Sequence, residues 1–254
     1  MVATPFDDGD LYDFFMRGFD YGIDFYTSLA KSAAGPVLDV ACGTGRVLIP
    51  CLQAGLEVDG LDLFPAMLDR LRIKAEALGL RPALYQSDMN QFELPRRYGL
   101  IMICFNAIVH NLTREAQIAC LECCRRHLLP GGRLAFDTFF PGPQVIYPSE
   151  QGRVLELETT DPETGEICRV YDTRTFDLVT QIQHSRMDVE RINAAGQIVS
   201  SQPSETTTRW IYKAEMELLL QVTGFAGWQI YADFDRRPLT QPTDGMIVEA
   251  WTAG

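Results

Sequence analysis

The stretch Pro36-Val37-Leu38-Asp39-Val40-Ala41-Cys42-Gly43-Thr44-Gly45-Arg46 constrains this chain more than any other. The short apolar run from Val37 to Val40 reads as a buried strand. The glycines at 43 and 45 read as a turn, and Val47-Leu48-Ile49 as the opening of a helix. In such a junction the free backbone N–H groups can hold an anionic or polar ligand end. The glycines read as positions where a side chain would block that approach. A dinucleotide-binding turn takes G-x-G-x-x-G, with the pyrophosphate over the turn. Here the third position is Leu48, and Asp39 stands where a pyrophosphate would be repelled. A carboxylate at that point suits a cationic ligand end, such as an α-amino group.

Strands and helices alternate from 36 to 138, the pattern of a parallel sheet covered on both faces. Val58-Asp59-Gly60-Leu61-Asp62 is the second strand, ending in an acid 17 residues after Gly45. Open α/β sheets bind ligands at that C-terminal edge. Pro65 starts the next helix, Leu68, Leu71, Ala75 and Leu78 form its apolar face, and Gly79 caps it. Leu100 to Phe105 is a fourth strand running into Asn106-Ala107-Ile108-Val109-His110. Thr113 opens a helix through Leu129, which Pro130-Gly131-Gly132 ends, and the fifth strand spans Arg133 to Thr138.

Ordered motifs along the chain together resemble the class I S-adenosylmethionine (SAM) methyltransferases over about residues 36–140. Asp39-Val40-Ala41-Cys42-Gly43-Thr44-Gly45 resembles their first motif, and Asp62 the acid that holds both ribose hydroxyls. Ser87-Asp88-Met89 resembles the third-strand acid and its neighbour beside the adenine. Phe105-Asn106 and Leu129-Pro130-Gly131-Gly132-Arg133-Leu134 continue the match. The resemblance implies a doubly wound, seven-stranded Rossmann-like α/β sheet and S-adenosyl-L-methionine as cofactor. It implies a cofactor site built from Tyr12, Arg17, Tyr21, Asp39, Ala41, Gly43, Gly45, Asp62, Leu63, Met67, Asp88, Met89 and Phe105. In that family a Tyr-Asp pair and a basic residue often precede the first motif. Tyr12-Asp13 and Arg17 match, with Arg17 expected to pair with the cofactor carboxylate as a charge-assisted fork.

His110 is the expected base and Asn106 its companion at the strand end. Histidine is a neutral proton acceptor at cellular pH, and a protonated amine cannot attack a methyl group. Small-molecule N-methyltransferases acting on amino sugars look similar at this stretch. Phe105-Asn106-Ala107-Ile108 lacks the prolines with which DNA amino-methyltransferases hold a flipped base. A net charge of −12, with no Lys/Arg run longer than two, argues further against nucleic acid as partner. The expected acceptor is therefore a small-molecule amine. A small-molecule hydroxyl is the first alternative, and a SAM-binding protein without turnover the second.

Cys120, Cys123, Cys124 and His127 superficially suggest a metal cluster, but one helix would turn Cys124 off the face shared by the others. Buried small hydrophobes are the better reading, and no metal is expected. Seven scattered cysteines fit reduced thiols, the N-terminus lacks a signal peptide's basic and apolar regions, and no apolar run approaches ~18 residues. A cytoplasmic enzyme with no membrane partner is expected.

Three regions follow. Residues 1–35, rich in aromatics, are expected to form a helical lid. Residues 36–140 and 212–254 form the Rossmann-like domain, and 141–211 an antiparallel β insertion after the fifth strand. Val154–Leu157, Arg169–Tyr171, Gln181–Ile192 and Thr206–Tyr212 read as the insertion's strands. It either covers the substrate or pairs two subunits as a homodimer. Gly227–Phe234 and Gly245–Trp251 close the sheet, and Arg236-Arg237 between them are a remote candidate for a substrate anion.

Overall fold

The computed structural model describes residues 3–147, 152–161 and 164–254. In chain order it forms α1 (Gly9–Phe15), α2 (Ile23–Lys31), β1 (Val37–Val40), α3 (Leu48–Gln53), β2 (Val58–Asp62), α4 (Pro65–Ala77), β3 (Leu84–Gln86) and β4 (Tyr98–Ile103). A 3₁₀ turn (Ala107–His110), α5 (Arg114–His127), β5 (Leu128–Phe139) and α6 (Pro143–Ile146) follow. The insertion holds β6 (Val154–Thr160), β7 (Ile167–Asp177), β8 (Ile182–Ile192) and β9 (Ile198–Arg209). The chain ends with α7 (Lys213–Val222), β10 (Gly227–Tyr231) and β11 (Gly245–Trp251).

The main sheet has seven strands in the order β3-β2-β1-β4-β5-β11-β10. β1 to β5 are parallel, and β11 runs antiparallel to both β5 and β10. Every residue of β1, β2 and β4 is buried, as a parallel strand covered on both faces requires. One face buries Tyr26 and Leu29 of α2, Leu48 of α3 and Leu71 of α4; the other buries Cys120, Leu121 and Cys124 of α5 with Met216 and Leu220 of α7. The expected doubly wound sheet is thus present. Two boundaries differ from the sequence reading. Leu78, expected on the buried face of α4, is 50% exposed because the helix already ends there and Gly79 turns the chain away in the left-handed region. Leu129 and the Pro130-Gly131-Gly132 run lie inside β5, where the Gly131 N–H donates to the Ala253 carbonyl at 2.8 Å.

The insertion is a four-stranded antiparallel sheet in sequence order, with strands longer than their apolar cores suggest. β9 begins at Ile198 rather than Thr206 even though Pro203 lies within it. Proline is tolerated because β9 is an edge strand, pairing only with β8 inside its sheet. On its outer side the Glu205 N–H donates to the Ala3 carbonyl, so the N-terminal segment runs along this edge.

The two N-terminal helices have different environments. α2 belongs to the core, with Tyr26 wholly buried. α1, capped by Asp8, lies between the two sheets: Leu11, Phe14 and Phe15 pack on Cys168, Val170 and Val189 of the insertion. Its opposite side meets α4 so closely that a Cβ on Gly9 would fall 2.6 Å from the Arg70 Cβ.

Candidate active site

The C-terminal ends of β1, β2, β4 and β5 bring three acids, Asp39, Asp62 and Asp137, and three strained residues to one edge. Ala41, Phe105 and Asn106 all have positive φ (56°, 60° and 58°), which costs a side-chain-bearing residue energy and persists only where surroundings enforce it. Asp137 of β5 does so for the last two. Its Oδ1 accepts from the Phe105 N–H at 2.8 Å and the Tyr26 hydroxyl at 2.6 Å, and its Oδ2 from the Asn106 N–H at 3.1 Å. Burial pushes the Asp137 carboxyl upward, and these three donors oppose that shift. Sequence reasoning missed Asp137. The available signal was an acid inside the apolar run Leu134–Phe139, a residue type rarely buried without partners.

Asp39 is 2% exposed, and its Oδ1 has no hydrogen-bond partner among the described residues. Burial pushes its carboxyl up to about 7, with Arg46 opposing and Asp62 adding to the rise. A buried, unsatisfied carboxylate oxygen fits a cationic amino group arriving from outside the chain. Asp62 accepts from the Gly43 N–H at 2.8 Å with Oδ2 and from the Phe64 N–H at 2.9 Å with Oδ1. These backbone bonds fix the carboxylate at the strand end, and a carboxylate with two acceptor oxygens fits a vicinal diol.

The glycine turn works differently from the sequence expectation. Its N–H groups at 43 and 45 are not free: Gly43 donates to Asp62, and Gly45 to the Cys42 carbonyl at 2.9 Å. The two glycines also exist for different reasons. A Cβ at Gly43 would meet nothing within 4 Å, so this position keeps the approach open. A Cβ at Gly45 would fall 2.3 Å from Leu71 Cδ1, so this glycine admits α4 against the turn.

The remaining expected residues distribute around this edge. Asp88 lies two residues past β3 and accepts from the Asn90 N–H at 2.9 Å. Met89 is half-buried, and its sulfur is 3.3 Å from the Asn111 amide nitrogen. Leu63 is an exposed rim residue, whereas Met67 is 1% exposed on the inner side of α4. Tyr12 is next to the Phe6 ring, with burial pushing its hydroxyl up to about 12. Tyr21 packs edge-on against Phe234, and burial takes its hydroxyl to about 12 as well. Asp13, beside Tyr12, accepts from the Thr44 hydroxyl at 2.6 Å, Arg70 at 2.7 Å and Lys74 at 2.9 Å. Burial would raise its pKa, but these bonds hold it below the usual range. Asp13 therefore ties α1 and the glycine turn to α4. Arg17 pairs with Asp161 of the insertion at 2.6 Å. A cleft of ≈ 320 Å³ between α1 and the turn is lined by Tyr12, Arg17, Thr44 and Arg46. A wider one of ≈ 560 Å³ opens at the opposite edge beside Asp59 and Arg96, remote from the strained strand ends.

His110 ends the 3₁₀ turn after β4. Burial lowers its pKa, partly countered by a hydrogen bond with the Thr207 backbone of β9. The Phe6 ring meets it edge-on at 5.3 Å and also packs on Phe64 at 5.2 Å. The imidazole thus lies where the N-terminal segment, the insertion and the end of β4 converge. Arg236 and Arg237 are committed elsewhere, to Glu249 and Asp244 at 2.7 and 2.6 Å. His127 is spent as well, its Nε2 accepting from the Leu94 N–H at 3.0 Å while Cys123 and Cys124 are buried.

Residues 37–132 match a family model described as a methyltransferase domain. Over 141 residues the chain is 32% identical to dTDP-3-amino-3,4,6-trideoxy-alpha-D-glucopyranose N,N-dimethyltransferase of Streptomyces venezuelae, covering 53% of this chain and 58% of that protein. Over 236 residues it is 27% identical to dTDP-3-amino-3,6-dideoxy-alpha-D-glucopyranose N,N-dimethyltransferase of Streptomyces fradiae, covering 80% and 88%. The solved structure of the CcbJ methyltransferase from Streptomyces caelestis superposes with a TM-score of 0.76 at 25% identity, over 99% of each chain.

Proposed function

We propose that this chain, which belongs to the class I SAM-dependent methyltransferase family, methylates the amine nitrogen of a small-molecule acceptor of the amino-sugar kind. Two relatives that act on amino sugars support the acceptor class. The observation that carries the reading is His110, a half-buried imidazole with a lowered pKa in the turn that follows the strained Phe105–Asn106 pair. When bound, SAM supplies a methyl group activated by its sulfonium. Asp39 would hold the amino group of its methionyl end, and Asp62 both ribose hydroxyls.

Asn106 and His110 act on the acceptor side. The Asp137 carboxylate fixes the backbone of Asn106, so its side chain is presented from a rigid strand end. Such transfers depend mostly on alignment, and the bonds that Asp137 makes supply it without reorganisation. His110 accepts the proton that the acceptor nitrogen must lose before or as it attacks. Its low pKa keeps the ring neutral, and therefore able to accept, at cellular pH. Phe6 and β9 shield it from water, with α1 and the insertion sheet as the cover over the acceptor. Hydroxyl methylation on the same scaffold is the alternative reading. Seven buried free thiols support a reducing, cytoplasmic setting.

Comparing His110→Ala with the native enzyme tests the reading. Turnover of an amine acceptor should fall by ~10²–10⁴ while S-adenosylhomocysteine still binds. Unchanged turnover would remove His110 as the base and leave the cofactor assignment standing.

A further inference from the structure

The cofactor's amino-acid end carries a carboxylate as well as an amine, and the obvious receptors for it are occupied. The N–H groups of Gly43 and Gly45 donate inside the protein. Arg17 is held by Asp161, Arg70 by Asp10 and Asp13, and Lys74 by Asp13. Arg46 differs from these cations. Among the described residues it forms no ion pair. Its Nη1 donates to the Tyr21 carbonyl at 2.6 Å, and its guanidinium lies 4.7 Å from the Phe105 ring centroid. It follows Gly45 directly and lines the 320 Å³ cleft between α1 and the turn. Its positive charge opposes the burial-driven rise of the Asp39, Asp137 and Tyr12 groups.

We infer that Arg46, not Arg17, receives the carboxylate of the cofactor's amino-acid end and so makes the enzyme discriminate against cofactors that lack it. This rests on the SAM reading above. The guanidinium has five donors, and one bond to Tyr21 leaves a fork for a carboxylate. The net field also favours it: Asp39 takes the amine, and Arg46, the only cation lining that cleft without a carboxylate partner among the described residues, takes the acid. Arg17–Asp161 is then a latch that holds the end of α1 to the insertion. Arg46 has a second consequence through its other contacts. Pinning it by a carboxylate also pins the Tyr21 backbone and the Phe105 face, so the cofactor end and the acceptor end are ordered together.

The test is calorimetric binding of two probes to the full chain. S-adenosylhomocysteine has both amine and carboxylate; S-adenosyl-3-thiopropylamine keeps the amine and lacks only the carboxylate. The native protein should prefer the first by roughly tenfold to hundredfold, the worth of hydrogen bonds to a charged group. Arg46→Met should erase that preference by weakening S-adenosylhomocysteine more than the carboxylate-free probe, Arg46→Lys should restore part of it, and Arg17→Met should keep it. Equal loss of both probes in Arg46→Met, with Arg46→Lys no better, would mean that Arg46 only supports Phe105 and Tyr21, and would overturn the inference. Selective loss in Arg17→Met would overturn it in favour of Arg17. Native protein that binds neither probe would refute the SAM reading and this inference with it, whereas binding both equally would refute the inference alone.

Discussion

Asp39 makes cofactor binding depend on pH in a direction set by its burial. Its carboxyl rises from 3.8 to about 7 in the fold, and the ionised form is the one that suits a cationic amine. At about pH 6 roughly one-tenth of the sites are ionised, and at about pH 8 roughly nine-tenths. Because apparent affinity scales with the competent fraction, S-adenosylhomocysteine should bind roughly tenfold more tightly at the higher pH. Stability runs the other way. The folded protein holds a proton on Asp39 between about 4 and 7 that the unfolded chain has released, so stability falls as pH rises through that window. At 1.36 kcal/mol per pH unit the full swing is at most ~4 kcal/mol. Asp39→Asn should give weak, pH-independent binding and remove the Asp39 share of the stability decline, leaving the share of Asp62 and Asp137, whose carboxyls burial also raises. Isothermal titration and urea unfolding at the two pH values read these out. A flat affinity in the native protein, matched by Asp39→Asn, would refute the placement of the amine at Asp39.

Other substitutions separate the remaining roles. Asp62→Ala should weaken S-adenosylhomocysteine by at least about tenfold, since it removes the acceptor for two hydroxyls and frees the Gly43 N–H; calorimetry checks it. Gly43→Ala should fold with a loss of only about 1 kcal/mol for its left-handed backbone yet bind the cofactor poorly. Gly45→Ala should cost more stability, because its Cβ collides with Leu71; thermal melts of the pair should differ accordingly. Tyr26→Phe removes a donor from the buried Asp137 carboxylate and should cost about 1–3 kcal/mol in denaturant unfolding, with turnover falling as the Phe105–Asn106 turn loosens.

The sheet was legible because its strands announce themselves: β1, β2 and β4 are apolar runs ending in a turn, an acid or a polar pair, and each is buried on both faces. The positions of Asp39 in β1 and Asp62 at the end of β2 could be read from their spacing around the glycines. Asp137 could not, since its role is to hold Phe105 and Asn106 from a strand 31 and 32 residues further along, and nothing local marks that pairing. Phe6 stood out only as one aromatic among many; its contact with His110 depends on the N-terminal segment crossing to β9. β9 itself was read too short, because Ser200-Ser201-Gln202-Pro203 lacks a strand's apolar alternation and only an edge position tolerates it. Arg46 and Arg17 are both plain cations in the sequence. Only packing shows that, among the described residues, Arg17 is ion-paired and Arg46 is not.

The most direct measurement offers the native enzyme SAM carrying a labelled methyl group and two acceptors that differ in one atom type. One is dTDP-3-amino-3,6-dideoxy-α-D-glucopyranose, and the other is the same sugar with a hydroxyl in place of the amine. Label recovered on the nitrogen of the first, with little on the second, is the expected result. Label on the hydroxyl sugar alone, or on neither while S-adenosylhomocysteine binds, would contradict amine methylation of an amino sugar.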